Sequence, residues 1–590
     1  MDTSRSTGDP DLLLLHAPSV YDFRERAILY GPVSDMVPSS TVFEMYPLGF
    51  LTIASYLREQ GMSVRIVNLA LRMMNDRRFD VPSFIARQQP RVVGIDLHWL
   101  PHAHGALEVA RIVKEIHPGV PVIFGGLSST YFHEELMSYP QVDCVLRGDS
   151  TEPPLHQLLV ALRDGTPLER IPNLTWKDGG EVRVNPHTFV PSTLDYVDIR
   201  PELVVEMMAR YRDFESPLPF NGWWRNPIAA VFTVKGCAYE CVTCGSSRTT
   251  CTHLTKRQRP VFRSPASLVA NVEAFARLTK GPIALIGDLR QAGSGHASEV
   301  LERLRAAGLR NEIMFELFSV PPPEFLSEID RCVPRWSIEF SPESHDQAVR
   351  DAQEGEADYT TAEMEDMLRE VLRLRCERLD VFFMIGLPAQ TLGSVRATVD
   401  YCERLFQLGD PRLSCYISPM GPFLDPGSRG FEQPERFGYR LFARTLEEHR
   451  QLLVQPTWEH ILNYETRWMT RRELVDATYD AAERLNELKV RYGRLSPRRG
   501  RAVAARIAGA RALRARLEAT LARGGEPAGD ASLRGEISRF SMSTVCDKRE
   551  LFWRRGLSQF RLAEVARVLG RHVAGRALNP PAFPPRRGGR

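Results

Sequence analysis

The chain has 590 residues, 43% of them hydrophobic, and a formal net charge of +3. That length suggests two to four domains, and the near balance of charge leaves no nucleic-acid footprint over the whole chain. No apolar run approaches the roughly 20 residues needed to cross a bilayer, and residues 12–15 are too short for the apolar core of a signal peptide, so a cytoplasmic protein with no membrane span is expected.

In chain order, residues 12–15 form a compact apolar run of the kind found in buried parallel strands. After a long loop, residues 48–60 read as a helix closed by Gly61. Residues 64–69, 92–95, 120–124 and 142–146 supply four more strands. Val109, Ile112, Val113 and Ile116 place one apolar stripe on the helix between the third and fourth of the five. Strands alternating with helices predict an α/β domain over residues 1–180, built on a doubly wound parallel sheet. Such sheets bind ligands beyond the carboxyl ends of their strands, and those ends carry Asp96, His98 and Trp99, then Gly125, Gly126 and Ser128, then Gly148 and Glu152. Prolines punctuate a connector over residues 181–225, with a short helix after Pro201. Trp223 and Trp224, on a Gly/Pro loop, either wall a site between two domains or pack in an ordinary interface.

Residues 229–234 form another short strand, and Cys237, Cys241 and Cys244 follow it with the spacing C-x-x-x-C-x-x-C. Three thiolates on one tight loop can hold three irons of a 4Fe–4S cube and leave the fourth open, whereas electron-transfer clusters usually have four protein ligands. Two other readings stand beside this one: buried small hydrophobes, and a Cys3His zinc site completed by His253. Cys251 is a possible fourth cluster ligand. The remaining cysteines of the ten are scattered, which does not make a disulfide framework.

Further strands are expected at 283–286, 313–317, 336–340, 381–385 and 413–417. Six strand–helix units over residues 226–430 predict an open barrel whose site residues stand at the strand carboxyl ends. Those positions carry Gly287 and Asp288, Glu339 and Ser341, Gly386 and Pro388, and Pro419. Residues 431–578 show no strand pattern and read as a mainly helical domain capping the barrel's open face, with helices at 470–488 and 501–521. Residues 498–523 hold eight arginines and one acid, Glu518, which suits a solvated helix face or an anionic partner. Residues 522–530 read as a linker, and 579–590 as a disordered tail.

The cysteine spacing, with the strand before it, resembles the signature of the radical S-adenosylmethionine superfamily. The segments Tyr-Pro47-Leu-Gly49, Val-Val-Gly94-Ile-Asp, Phe-Gly125-Gly126-Leu-Ser-Ser and Arg-Gly148-Asp-Ser-Thr-Glu152-Pro resemble, in that order, the cobalamin-binding domain that precedes the barrel in one branch of the superfamily. The resemblance implies a 4Fe–4S cluster on Cys237, Cys241 and Cys244, S-adenosylmethionine on the open iron, and cobalamin along the sheet edge at Gly125-Gly126. Gly287-Asp288 matches the family's Gly-Gly-Glu-type motif, with Ile286 in place of the first glycine and Asp288 as acceptor for the ammonium. Glu339 and Ser341 are placed at ribose hydroxyls or the methionine carboxylate, Gly386 and Pro388 at adenine, and Pro419 near adenine or substrate. One feature departs from many cobalamin proteins. No Asp-x-His-x-x-Gly follows the first strand, and Asp96-Leu-His98 stands after the third, with Pro101 where the glycine would be; His98 or Trp99 is expected to cover, or ligate, the lower face of cobalt.

The activity implied is radical methylation of an unactivated carbon on a small-molecule or natural-product substrate, with an external flavodoxin- or ferredoxin-like electron donor and no nucleic-acid partner. The family also includes radical cyclases and ring-rearranging enzymes. A non-catalytic zinc-binding adaptor is the reading from another class.

Overall fold

The computed structural model describes residues 9–31, 40, 42–355, 358–524, 533, 535–537, 546, 548–551 and 559–573. Strand β1 (Leu12–His16) is buried at every position, as a central strand covered on both faces must be. With β2 (Val64–Asn68), β3 (Val92–Asp96), β4 (Val122–Gly125) and β5 (Cys144–Leu146) it builds a parallel sheet in the order β2-β1-β3-β4-β5. Leu12 and Leu14 pack with the helices Gly49–Glu59 and Glu152–Asp164 on one face, while Leu13 and Leu15 join the helix Ala103–Ile116 on the other. The strand order reverses between β1 and β3, so a crevice opens beyond their carboxyl ends, the usual ligand position of a doubly wound sheet.

The sheet runs past its expected end at residue 180. Strands β6 (Leu174–Asp178) and β7 (Glu181–Val184), joined at Gly179-Gly180, add an antiparallel pair to the β5 edge. All four residues of β7 are exposed, so no buried face imposes an alternation that the sequence could display.

The second sheet contains all six expected strands. After β8 (Ala229–Phe232), the short strands β9 (Val234–Lys235) and β10 (Val261–Phe262) form an antiparallel clip around the cysteine loop. Then β11 (Ile283–Ile286), β12 (Ile313–Leu317), β13 (Trp336–Glu343), β14 (Arg378–Ile385) and β15 (Leu413–Pro419) complete a six-stranded parallel sheet in the order β15-β14-β13-β12-β11-β8, open between β8 and β15.

The region beyond residue 430 differs from expectation in two ways. It contains a small antiparallel pair, β16 (Tyr439–Leu441) and β17 (Tyr464–Thr466), whose three-residue strands are too short to show a period. The helix Arg471–Arg491 packs on β15 and on the helix Leu392–Phe406 rather than over the barrel mouth, and the helix Pro497–Ala522 packs against it. In the arginine run, Arg514 is buried among Glu459, Asp476 and Glu518, each at 2.6 Å. The helix that faces the cavity is Leu562–Val573, which rests on the helices Glu202–Tyr211 and Pro265–Leu278. The tail at 579–590 and most of the linker at 522–530 lie outside the described residues. Among the described residues, no helix is long and apolar enough to cross a membrane.

Candidate functional site between the two sheets

The carboxyl ends of both parallel sheets open onto one mostly apolar cavity of about 1200 Å³. Cys237, Cys241 and Cys244 all line it, and none is in a disulfide. Their loop is tight enough for its own amides to reach the sulfurs. The Tyr239 N–H points at Cys237 Sγ at 3.5 Å and the Ser246 N–H at Cys244 Sγ at 3.3 Å. Such donors favour thiolates, so the loop suits a metal cluster. Gln291 buttresses it, its Oε1 accepting the Ala238 amide at 3.0 Å. Cys251 also borders the cavity, but it sits on the helix Arg248–Leu254 with its thiol donating to the Ser246 carbonyl at 3.3 Å, and burial pushes its pKa up to about 12. His253, the candidate fourth zinc ligand, is exposed and does not line the cavity.

Facing the cysteines, the β1/β3 crevice holds a linked set of side chains. His16, at the end of β1, bonds the Phe43 carbonyl through Nε2 at 3.0 Å and Asp96 Oδ1 through Nδ1 at 3.0 Å. His98 Nδ1 meets Asp96 Oδ2 at 2.6 Å. Burial would raise the Asp96 carboxyl, but the two imidazoles outweigh it and hold the group below the usual carboxylate range. His16, Asp96 and His98 lie close enough together to hold a metal ion, and the His98 side chain, 30% exposed, lines the cavity. A carboxylate on one imidazole nitrogen sets the tautomer and leaves the other nitrogen available as a ligand. Gly126 lets this loop pass: its φ is +111°, and a Cβ there would stand 2.4 Å from His98 Cα.

Trp99 ties the two sheets together. Its Nε1 donates to Asp425 Oδ1 at 3.0 Å, and Asp425 Oδ2 accepts the amide of Gly245, next to Cys244, at 3.1 Å. A second tie joins Asp149 to Arg257 by two bonds of 2.6 and 2.7 Å. Trp223, Trp224 and Phe560 pack ring on ring, with centroids 5.2–5.6 Å apart, and all three wall the cavity.

Of the residues singled out from sequence, Asp96, His98, Trp99, Gly125, Gly126, Gly148, Glu152, Gly287, Glu339 and Ser341 line this one space with the three cysteines. Glu152 does so as a fixed strut: it accepts from Thr52 Oγ1 at 2.8 Å and the Tyr196 hydroxyl at 2.9 Å, with Lys235 Nζ 3.9 Å away.

Five residues stand elsewhere. Ser128 is buried in the short helix Leu127–Tyr131. Asp288, expected to meet an ammonium, is paired with Arg290, accepts the amides of Arg290 at 2.9 Å and Phe318 at 3.3 Å, and does not border the cavity. Gly386 is covered by the β16–β17 pair: its amide bonds Gln390 Oε1 at 2.8 Å, its carbonyl takes the Tyr439 hydroxyl at 2.9 Å, and a Cβ would meet the Tyr464 hydroxyl at 2.7 Å. Pro388 and Pro419 are buried off the cavity, where Met420 and Gly421 face it instead. Glu316 and Asp425, two of the carboxylates lining the cavity, were not among the expected site residues. Glu316 on β12 accepts the Gly287 amide at 2.6 Å, and burial followed by the Asp288 charge pushes its pKa up to about 7. A lone acid within the otherwise apolar run of β12 was the available signal for Glu316; Asp425, on a loop, had none.

Residues 36–156 match the model of the B12 binding domain. An uncharacterized methyltransferase of Pyrococcus horikoshii is 32% identical over 203 residues, which is 34% of this chain and 40% of that protein. The chain spans about two fifths of the length of the curated relatives it matches. Among solved structures, the radical S-adenosylmethionine methyltransferase TsrM from Kitasatospora setae, with tryptophan substrate and an S-adenosylmethionine analogue bound, aligns at TM-score 0.53 and 16% identity over 73% of this chain and 78% of TsrM. The cobalamin-dependent radical enzyme OxsB, with aqua-cobalamin and S-adenosylmethionine bound, aligns at TM-score 0.52 and 15% identity over 97% of this chain and 80% of OxsB. The chain therefore carries a B12 binding domain and has the fold of the cobalamin-binding radical S-adenosylmethionine enzymes.

Proposed function

We propose that the chain is a cobalamin-dependent radical S-adenosylmethionine enzyme that methylates an unactivated carbon of a small-molecule substrate. One observation carries the reading: Cys237, Cys241 and Cys244 open onto the same cavity as the His98–Gly126 crevice. When bound, the cofactors supply reductive cleavage of S-adenosylmethionine and methyl transfer, while the protein positions them and excludes water. In this reading the three cysteines hold the cluster. The glycine turn at Gly125-Gly126 would admit the corrin edge, and His98, oriented by Asp96 and His16, would be the side chain that covers or holds the cobalt. Trp223, Trp224 and Phe560 keep the chamber dry. An external flavodoxin- or ferredoxin-like protein delivers the electron.

Anaerobic reconstitution with iron, sulfide and cobalamin tests this. The expected result is stoichiometric cluster and corrin, and deoxyadenosine when S-adenosylmethionine and a low-potential reductant are added. Transfer of an isotopically labelled methyl group from S-adenosylmethionine into a small molecule of host extract would support methylation. Deoxyadenosine with substrate consumed and no label gained would point to cyclisation or rearrangement. Colourless protein with stoichiometric zinc would overturn the proposal.

A further inference from the structure

Three carboxylates stand in one row across the barrel. Glu316 on β12 is the register partner of Glu339 on β13, and Glu339 is the register partner of Asp380 on β14. In-register neighbours of a sheet point to the same face. Asp380 is engaged by Arg378, whose Nε donates to Oδ2 at 2.5 Å. Glu316 accepts the Gly287 amide and lines the cavity. Glu339 also lines the cavity and is only 2% exposed, yet its Oε2 has no hydrogen-bond partner among the described residues.

A buried carboxylate oxygen without a donor is costly to keep. Burial, then Asp380 and Glu316 beside it, push the Glu339 carboxyl well above its ordinary range. A positive donor arriving in the cavity would relieve both the missing hydrogen bond and the repulsion. The chemistry of the pair narrows what that donor is. A cation favours the ionised, acceptor-only form of both carboxyls, whereas an anionic ligand group would raise them further. Two acceptors on neighbouring strands, roughly 5 Å apart, suit a compact cation with several N–H bonds. Glu339 also lies four residues inside the carboxyl end of β13, so the group that reaches it is inserted into the barrel.

We propose that Glu316 and Glu339 form a subsite for an ammonium group, and that it selects an amine-bearing substrate. The substrate assignment rests on the cavity being the reaction chamber of the function proposed above; the ammonium chemistry does not. The amino group of S-adenosylmethionine is the other source of the same chemistry, and the test separates the two.

The protein loaded with cobalamin is titrated with n-butylamine and, at equal ionic strength, with the isosteric n-butanol, and binding is read from the melting midpoint. Wild type should be stabilised by the amine and not by the alcohol. Glu339→Gln should weaken amine binding by roughly tenfold or more, the loss of a charge-assisted hydrogen bond. The unliganded variant should melt at or above the wild-type midpoint, because Gln keeps the shape of a carboxyl whose charged form burial, Asp380 and Glu316 already disfavour; a lower midpoint would mark Glu339 as merely structural and overturn the proposal. Equal response to amine and alcohol in wild type, or amine binding unchanged in Glu339→Gln, would overturn it too. If the variant weakens S-adenosylmethionine on the reconstituted cluster, judged against its desamino analogue, and leaves butylamine unaffected, the substrate assignment falls. Failure of the cofactor reading is seen separately, as missing corrin or cluster absorbance, while the amine titration remains readable on protein without cofactors.

Discussion

Asp149→Asn should loosen the junction between the two sheets. Asp149 follows the Gly148 turn of the first sheet, and Arg257 follows the cysteine loop of the second. Arg257 Nε and Nη2 donate to the two oxygens of Asp149 at 2.6 and 2.7 Å, a bidentate pair with side-chain exposures of 2% and 16%. Removing one partner of a buried pair leaves an uncompensated charge and costs about 3–5 kcal/mol. Arg257 keeps a second bond, from Nη1 to the Pro191 carbonyl at 3.0 Å, which places the expected loss near the lower end, about 3 kcal/mol. Urea unfolding followed by tryptophan fluorescence measures it, and a double-mutant cycle with Arg257→Met isolates the pairwise part.

The dependence on pH supplies an independent check. Burial raises the Asp149 carboxyl, but the hydrogen bonds and charge of Arg257, then Lys235, outweigh it and the net shift is downward. A depressed carboxyl adds stability above its unfolded value of about 3.9 and loses it as pH falls through the folded value. The gap between wild type and Asp149→Asn should therefore be full at neutral pH and close under acid. A loss below about 1 kcal/mol at neutral pH, the range of an exposed pair, or additive single mutants in the cycle, would refute the buried-clamp argument.

Gly126→Ala places a Cβ against His98 Cα at 2.4 Å with φ at +111°; backbone strain and overpacking together should cost about 2–5 kcal/mol, read by denaturation, with cobalamin retention falling in parallel. Replacing Cys237, Cys241 or Cys244 with Ala should abolish deoxyadenosine formation and leave cobalamin binding intact, and loss of both would argue against two separable sites. His98→Ala should change the visible and paramagnetic-resonance spectra of reduced bound cobalamin, and an unchanged spectrum would eliminate ligation by His98. Trp99→Phe removes the Nε1 bond to Asp425; a lost hydrogen bond to a carboxylate should cost about 1.5–3 kcal/mol, seen as a lower unfolding midpoint.

What was legible beforehand is what the local chain controls. The apolar runs of both parallel sheets could be read because strands buried on both faces are mostly apolar, and all six barrel strands formed where those runs lie. The cysteine loop could be read because three cysteines within eight residues need no distant partner to be recognised. Exposed β7 and the three-residue β16 and β17 left no such trace, since β7 has no buried face and the other two are too short to show a period.

The sequence by itself determined the order of the two parallel sheets and the loops at their carboxyl ends. Tertiary structure decided which acids face the cavity. Asp288 and Glu316 are both carboxylates near the same turn, but the arginine two residues on captures Asp288, while strand pairing carries Glu316 into the cavity beside Glu339. Likewise, the expected adenine contact at Gly386 depended on what lay above it, and the two tyrosines there come from a segment more than fifty residues along the chain. A side chain's type is local, but the partner that claims it is chosen only when distant elements pack.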